Sequence, residues 1–317
     1  MSKSSGVSFN DWLTLARLSN LPTVVSNALV GLVAAAMAPV ARFGYPEQPS
    51  PEWRRLLDML GSDGVWPILA VCCFYVMGMM LNDVADASID ARERPNRPIP
   101  SDRVARRTAA LVGIGLGVAG FALLLPLRRW EPMAWAAALV VAIVGYDFLN
   151  KRWPAVVLLM GACRSLVYLL AASISIAVHE PIWWRIVLPF AIIVGIYTIM
   201  ITVIARMEDN GRLGARKWLA LVMPLVILPA VLSVVPLGNN MIWAAIAVMV
   251  MLLWLGRAAA FIFAKPPETK EAVMTWISGM CLIDAWFLTL MGWPIAALIA
   301  GIGFIATVLA HQRIMGT

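Results

Sequence analysis

Residues 81–104, LNDVADASIDARERPNRPIPSDRV, hold the side chains of this sequence best suited to chemistry. Asp83, Asp86 and Asp90 are spaced i, i+3, i+7, which puts three carboxylates on one face of a helix. Bare, they repel one another, and a divalent cation removes the repulsion. Mg2+ is usually held by one or two carboxylates together with phosphate oxygens. Arg94, Arg97, Arg103, Arg106 and Arg107 follow, and guanidinium forks match the remaining oxygens of a phosphate group. The pattern suggests a diphosphate carried on Mg2+. A loop that only enforces membrane orientation explains the arginines. It does not explain the aspartates, because carboxylates contribute little to orientation.

The elements that position these residues are membrane helices. Apolar residues make up 61% of 317 positions and charged residues 14%, and mean hydropathy is +0.82. A soluble domain is near half apolar and a quarter charged. Apolar runs fall at 21–41, 65–82, 108–127, 133–149, 154–178, 186–205, 217–236, 241–263, 272–290 and 293–312. Most reach the ~20 residues a helical span needs. Only MGWP separates the last two, which could form one kinked element, so nine or ten spans are expected. No period-2 alternation of the kind a membrane barrel needs is present. The expected fold is an all-α polytopic membrane bundle of nine or ten helices with a polar cytoplasmic cap, forming one domain over 1–317. The first run is too long for a cleaved secretory signal, and Asp11 precedes it.

Lys and Arg set the orientation. With the N-terminus cytoplasmic, seventeen basic residues fall inside and six outside, a positive-inside bias. The net charge of +7 therefore reads as topology, and no nucleic-acid partner is expected. The expected location is a bacterial inner (cell) membrane, multi-pass. Segment 42–64 lies outside and contains PEWRRLLDMLG, which could form an interfacial helix. Four polar clusters, 82–107, 145–153, 205–218 and 257–270, share the cytoplasmic side, so a site belongs at that mouth of the bundle. Cys72, Cys73, Cys163 and Cys281 all fall inside spans and suggest neither a disulfide framework nor a thiolate metal site.

The motif N-D-x-x-D-x-x-x-D at Asn82, Asp83, Asp86 and Asp90, followed by R-P-N-R-P-I-P-S at 94–101, resembles the signature of the UbiA superfamily of intramembrane prenyltransferases. YDFLNKR at 146–152 resembles the family's Tyr…Lys-Arg segment. GACRSLVY at 161–168 resembles the start of its fifth span, and RLSNLPTVVSN at 17–27 its first. The similarity runs from about residue 12 to 217. One departure stands out. The family carries a second acidic motif after the sixth span, and this sequence has RMEDNGRLG there, with Arg206 and Asn210 in the aspartate positions and Glu208 between them. The altered motif resembles an EboC-like branch and puts a second Mg2+ in doubt.

The resemblance implies an isoprenyl diphosphate donor whose diphosphate binds Mg2+ held by Asp83, Asp86 and Asp90. Lys151 joins the catalytic set. Asn27, Asn82, Arg94, Arg97, Tyr146, Arg164, Tyr168, Arg206, Glu208 and Asp209 are expected to bind substrate. The acceptor is unidentified, and the lipid bilayer is the other partner. Arg164 and Asp284 are costly in lipid. They either pair as a structural bridge or line the acceptor pocket. A CDP-alcohol phosphotransferase is disfavoured because Ala87 follows Asp86 where that pattern needs Gly. The alternative from another class is a binding or transport protein on a catalytically altered prenyltransferase-like bundle.

Overall fold

A computed structural model describes residues 8–43, 50–149, 153, 155–175, 178–208, 217–229 and 241–313. Among them are twelve α-helices: α1 (Phe9–Leu15), α2 (Leu21–Phe43), α3 (Glu52–Met59), α4 (Val65–Glu93), α5 (Arg106–Leu124), α6 (Trp130–Phe148), α7 (Val156–Ala172), α8 (Pro181–Glu208), α9 (Leu219–Ile227), α10 (Met241–Phe263), α11 (Thr269–Leu290) and α12 (Pro294–Arg313). No strand occurs among the described residues. The fold is the all-helical bundle expected of a multi-pass membrane protein.

Eight of these helices, α2, α4, α5, α6, α8, α10, α11 and α12, are long and apolar enough to cross a bilayer. The shorter α7 occupies the run at 154–178, and α9 lies in the run at 217–236, part of which falls outside the described residues. The count of nine or ten spans is therefore not reproduced as such. The final two runs are separate helices. Gly292 takes φ 77, and the Trp293 amide returns to the Leu288 carbonyl while the Gly292 amide reaches Thr289. That wrap closes the end of α11, and Pro294 opens α12 at a position where its missing N–H costs little. The helix that covers the run at 186–205 starts earlier than that run: α8 begins at Pro181 and carries Pro189 inside it.

The bundle is apolar on both sides of its wall. α11 is the central element, with Gly279–Leu290 wholly buried. It packs on α2, α8, α10 and α12. The outer helices turn Leu111 and Val118 of α5, Leu253 of α10 and Ile302 and Leu309 of α12 to the surface, where lipid replaces water as the solvent. α5 lies closely on α4 through Gly113, Gly117 and Gly120, a stripe of small residues that lets two helices approach.

Two features position the polar mouth. α4 has 29 residues, so it is about 44 Å long against a hydrocarbon core of about 30 Å. Its last turns, with Asp86 and Asp90, therefore reach beyond the hydrocarbon. α1 lies over this end. Ser8 and Asp11 form a capping box at its start, and Asp11 accepts a 2.8 Å bond from Arg103. Beneath, Leu15, Ala16, Met80, Val84, Ile99, Val104 and Ala109 form a small apolar core. The cap is thus packed as well as polar. On the opposite face α3, the helix expected within 42–64, is amphipathic. Glu52 accepts from the amides of Ile295 and Ala296 at 2.7 and 3.0 Å, at the start of α12.

Candidate active site

The acidic face sits at the C-terminal end of α4, where the helix dipole is negative and carboxylates are disfavoured unless cations compensate. The fold supplies the cations from two directions. Arg17 follows α1 in a left-handed conformation, φ 43, and its Nη2 lies 3.1 Å from Asp83 Oδ1. Arg97 Nη1 lies 2.7 Å from Asp90 Oδ2 and 3.6 Å from Asp83 Oδ1. Arg97 and both of its carboxylate partners are buried.

The sequence after α4 explains how Arg97 gets there. Arg94 leaves the helix at φ −141, ψ 59, because the residue before Pro95 is excluded from the helical region. Turn bonds from the Arg97 amide to the Arg94 carbonyl and from the Ser101 amide and hydroxyl to the Arg97 carbonyl then fold the RPNRPIPS segment back over α4.

A cavity of about 1150 Å³ opens at this end between α4, α6, α7 and α8. Its polar part is lined by Arg17, Asn82, Asp86, Asp90, Arg94, Arg97, Tyr146, Asp147 and Arg206, and its inner part by Val24, Val71, Leu139, Ile143 and Val167. Arg164 joins the wall from α7. The structure thus gathers Asn82, Asp86, Asp90, Arg94, Arg97, Tyr146, Arg164 and Arg206 around one space. Asp83 is buried behind it, held by Arg17. Asn27 and Tyr168 are fully buried one layer further back. Lys151, Asp209 and the side chain of Glu208 lie outside the described residues. Arg103 and Arg106 are occupied structurally, Arg103 with Asp11 and the Asn96 carbonyl and Arg106 with the Val84 carbonyl at 3.0 Å.

Two site residues were not singled out from sequence. Arg17 entered the sequence reading as a basic residue for orientation and as the first residue of RLSNLPTVVSN, with no role in the site, and nothing local signals its left-handed turn. Asp147 is 5% exposed, and its Oδ1 accepts a 3.0 Å bond from Asn82 Nδ2. A carboxylate closing an apolar run is the signal that could have found it.

Arg164 and Asp284 do not pair directly. Arg164 Nη1 donates to Asn27 Oδ1 at 2.9 Å, and Asn27 Nδ2 donates to Asp284 Oδ2 at 2.7 Å.

The donor set suits a hard cation such as Mg2+. Asp86 and Asp90 bring carboxylate oxygens to the cavity beside guanidinium groups, with Asp83 behind them on Arg17 and Arg97. Among the described residues no three acidic, His or Cys side chains converge into a closed cage. Mg2+ sites completed by substrate phosphates do not need one.

The sequence profile of the UbiA prenyltransferase family matches residues 53–280. The chain is 35% identical over 104 residues to the 4-hydroxybenzoate octaprenyltransferase of Acidovorax ebreus, covering 29% of this chain and 34% of that one. It is 28% identical over 199 residues to the digeranylgeranylglyceryl phosphate synthase of Metallosphaera sedula, covering 61% and 59%. The chain thus spans less than two thirds of the length of these relatives. Its fold is similar to that of a UbiA homolog from Archaeoglobus fulgidus solved bound to GPP and Mg2+. The TM-score is 0.57 at 13% identity, over 89% of this chain and 99% of that one. With the family profile matching well over half of its residues, the chain belongs to the UbiA prenyltransferase family.

Proposed function

We propose that this protein is an integral-membrane prenyltransferase that moves an isoprenyl group from an isoprenyl diphosphate to an acceptor, with Mg2+-assisted loss of diphosphate. The observation that carries the reading is the two-part cavity. Carboxylates and arginines gather at its mouth, and an apolar wall continues inward from them. A diphosphate fits the first part and an isoprenyl tail the second. The names of the relatives, an octaprenyltransferase and a prenyl-lipid phosphate synthase, support the donor class and leave the acceptor open.

In this reading Asp83, Asp86 and Asp90 hold Mg2+, which when bound neutralises the diphosphate oxygens and makes them a better leaving group. Arg94, Arg97 and Arg206 screen the charge that grows on the diphosphate as the allylic C–O bond breaks. Lys151 is assigned the same role. Glu208 and Asp209 are proposed to keep acidity near the altered second motif. The apolar wall excludes bulk water, which would otherwise capture the allylic cation before the acceptor does. The acceptor attacks that carbon and releases a proton, so that the products are prenylated acceptor, diphosphate and H+. The mouth is assigned to the cytoplasmic face on the distribution of Lys and Arg.

The test is diphosphate release by the purified chain with ten-, fifteen- and twenty-carbon donors, with and without Mg2+, against extracted membrane lipids. Turnover that requires Mg2+ and falls at least 100-fold, ~2.7 kcal/mol of barrier, in Asp86→Asn is the expected result. Tight binding of donor with no diphosphate release under any acceptor mixture would instead establish a binding or transport protein.

A further inference from the structure

A carboxyl group lies at the centre of this bundle that the donor chemistry does not use. Asp284 of α11 is fully buried. It accepts from Ser26 Oγ at 2.5 Å, from Asn27 Nδ2 at 2.7 Å and from the Tyr168 hydroxyl. Three helices, α2, α7 and α11, meet there. Asp284 Oδ2 accepts from the amide nitrogen of Asn27, which turns that nitrogen toward the carboxyl group and the amide oxygen away. That oxygen faces Arg164 Nη1 at 2.9 Å. The result is a directional relay from Asp284 through Asn27 to Arg164, with Arg164 on the cavity wall.

The end of the relay is unusual. Arg164 is half-buried, and among the described residues its one hydrogen bond is to the neutral Asn27 amide. No carboxylate there lies in ion-pair contact with it. An arginine in a membrane bundle normally pairs, and this one lines the cavity with a single one of its five donors bonded among the described residues. Its place separates it from the diphosphate mouth. Val157 and Arg164 both line the cavity, and the seven-residue step between them along α7 is roughly 10 Å inward from the end of the helix nearest the mouth. An allylic cation would be repelled at Arg164. A negatively charged group of a second substrate would be held.

We propose that Arg164 is the recognition point for an oxyanion, carboxylate or phosphate, carried by the prenyl acceptor, and that Asp284 is the residue that positions it through Asn27. The inference deepens the prenyl-transfer reading and rests on it.

The experiment uses the full chain in detergent with two kinds of probe. Geranyl diphosphate with Mg2+ reports the donor site. Benzoate and inorganic phosphate, each added to chain saturated with that donor, report the oxyanion site. Binding is followed by titration calorimetry. Wild type is expected to bind one of the two oxyanions in the presence of donor, and which one it binds assigns a carboxylate or a phosphate acceptor.

Arg164→Met should weaken that oxyanion at least tenfold and leave the donor Kd within twofold, with Arg164→Lys recovering part of the loss. Asp284→Asn allows the Asn27 amide to turn over, and should weaken the oxyanion three- to tenfold with the donor Kd unchanged. A merely structural Asp284 would move both ligands together or neither. Ser26→Ala, a milder loosening of the same carboxylate, replaces Asp284→Asn if that variant does not fold.

The proposal is overturned if neither oxyanion binds wild type, if Arg164→Met leaves oxyanion binding intact, or if it weakens the donor equally, which would assign Arg164 to the diphosphate. Failure of geranyl diphosphate to bind wild type would instead overturn the prenyl-transfer reading itself.

Discussion

At the scale of single residues, Arg97 holds the mouth together. It sits between Asp83 and Asp90, and all three are buried. Removing one partner of a buried ionic group leaves uncompensated charge and costs about 3–5 kcal/mol. Arg97→Met should therefore lower stability by about that amount, seen as a fall in the thermal midpoint of the detergent-solubilised chain. Adding Asp90→Asn to it should recover part of the loss, because one of the stranded carboxylates is then neutral. A double variant no more stable than Arg97→Met alone would show that the 2.7 Å contact contributes nothing to holding the RPNRPIPS turn on α4.

Two contacts at the scale of elements decide whether α4 and α12 stay in register with their neighbours. A methyl group added at Gly120 would lie 2.6 Å from Cε1 of Phe74, and one at Gly117 would lie 2.6 Å from Sδ of Met77. The Phe74 ring is fully buried and rigid, whereas a methionine side chain bends away. Gly120→Ala should destabilise by about 1–3 kcal/mol. Gly117→Ala should stay within about 1 kcal/mol of wild type, aided by the better helix propensity of alanine. Equal thermal midpoints for the two would refute this account of α4–α5 packing. At the other face, burial raises the pKa of Glu52 above its ordinary 4.5, outweighing the two amide bonds it accepts from α12. A raised carboxyl favours the protonated form in the folded state. The stability it adds is present below the ordinary value and is lost as pH rises through the raised one. Across that window wild type should lose thermal stability relative to Glu52→Gln, which lacks the titration. Parallel melting curves for the two would count against it.

The whole molecule is organised by which face each helix end reaches. The C-terminal ends of α4, α6 and α8 share one cavity, since Asp86, Tyr146 and Arg206 all line it. The junction of α10 with the segment before α9 lies on the same side, where Lys217 approaches the ring of Phe263 at 5.6 Å. Single cysteines introduced at 95–105 and at 265–270 should therefore react with an impermeant thiol reagent from one side of the membrane. Those at 52–58 and 179–184 should react from the other. The topology proposed from the seventeen-to-six division of basic residues puts the first side in the cytoplasm. Labelling of the first group only from outside intact cells would invert the topology and separate the mouth from cytoplasmic donors.

Hydropathy, helical periodicity and the N-D-x-x-D-x-x-x-D spacing were enough to determine a helical membrane bundle, the continuation of α4 past its apolar run and the face that carries Asp83, Asp86 and Asp90. Each depends on residues within a few turns of one another, so a local pattern contains the information. The tertiary structure decided what that pattern cannot reach. Arg17 meets Asp83 across 66 residues, Arg164 meets Asn27 across 137, and Asn27 meets Asp284 across 257. The sequence marked Arg164 and Asp284 as costly charges and left open whether they pair. Only the packing of α2 between α7 and α11 inserts Asn27 between them. Likewise nothing in the spacing of the arginines distinguished Arg97, which turns back onto the carboxylates, from Arg103 and Arg106, which tie down α1 and α4. That choice is made by where the chain reverses after Pro95 and by what the reversed segment meets.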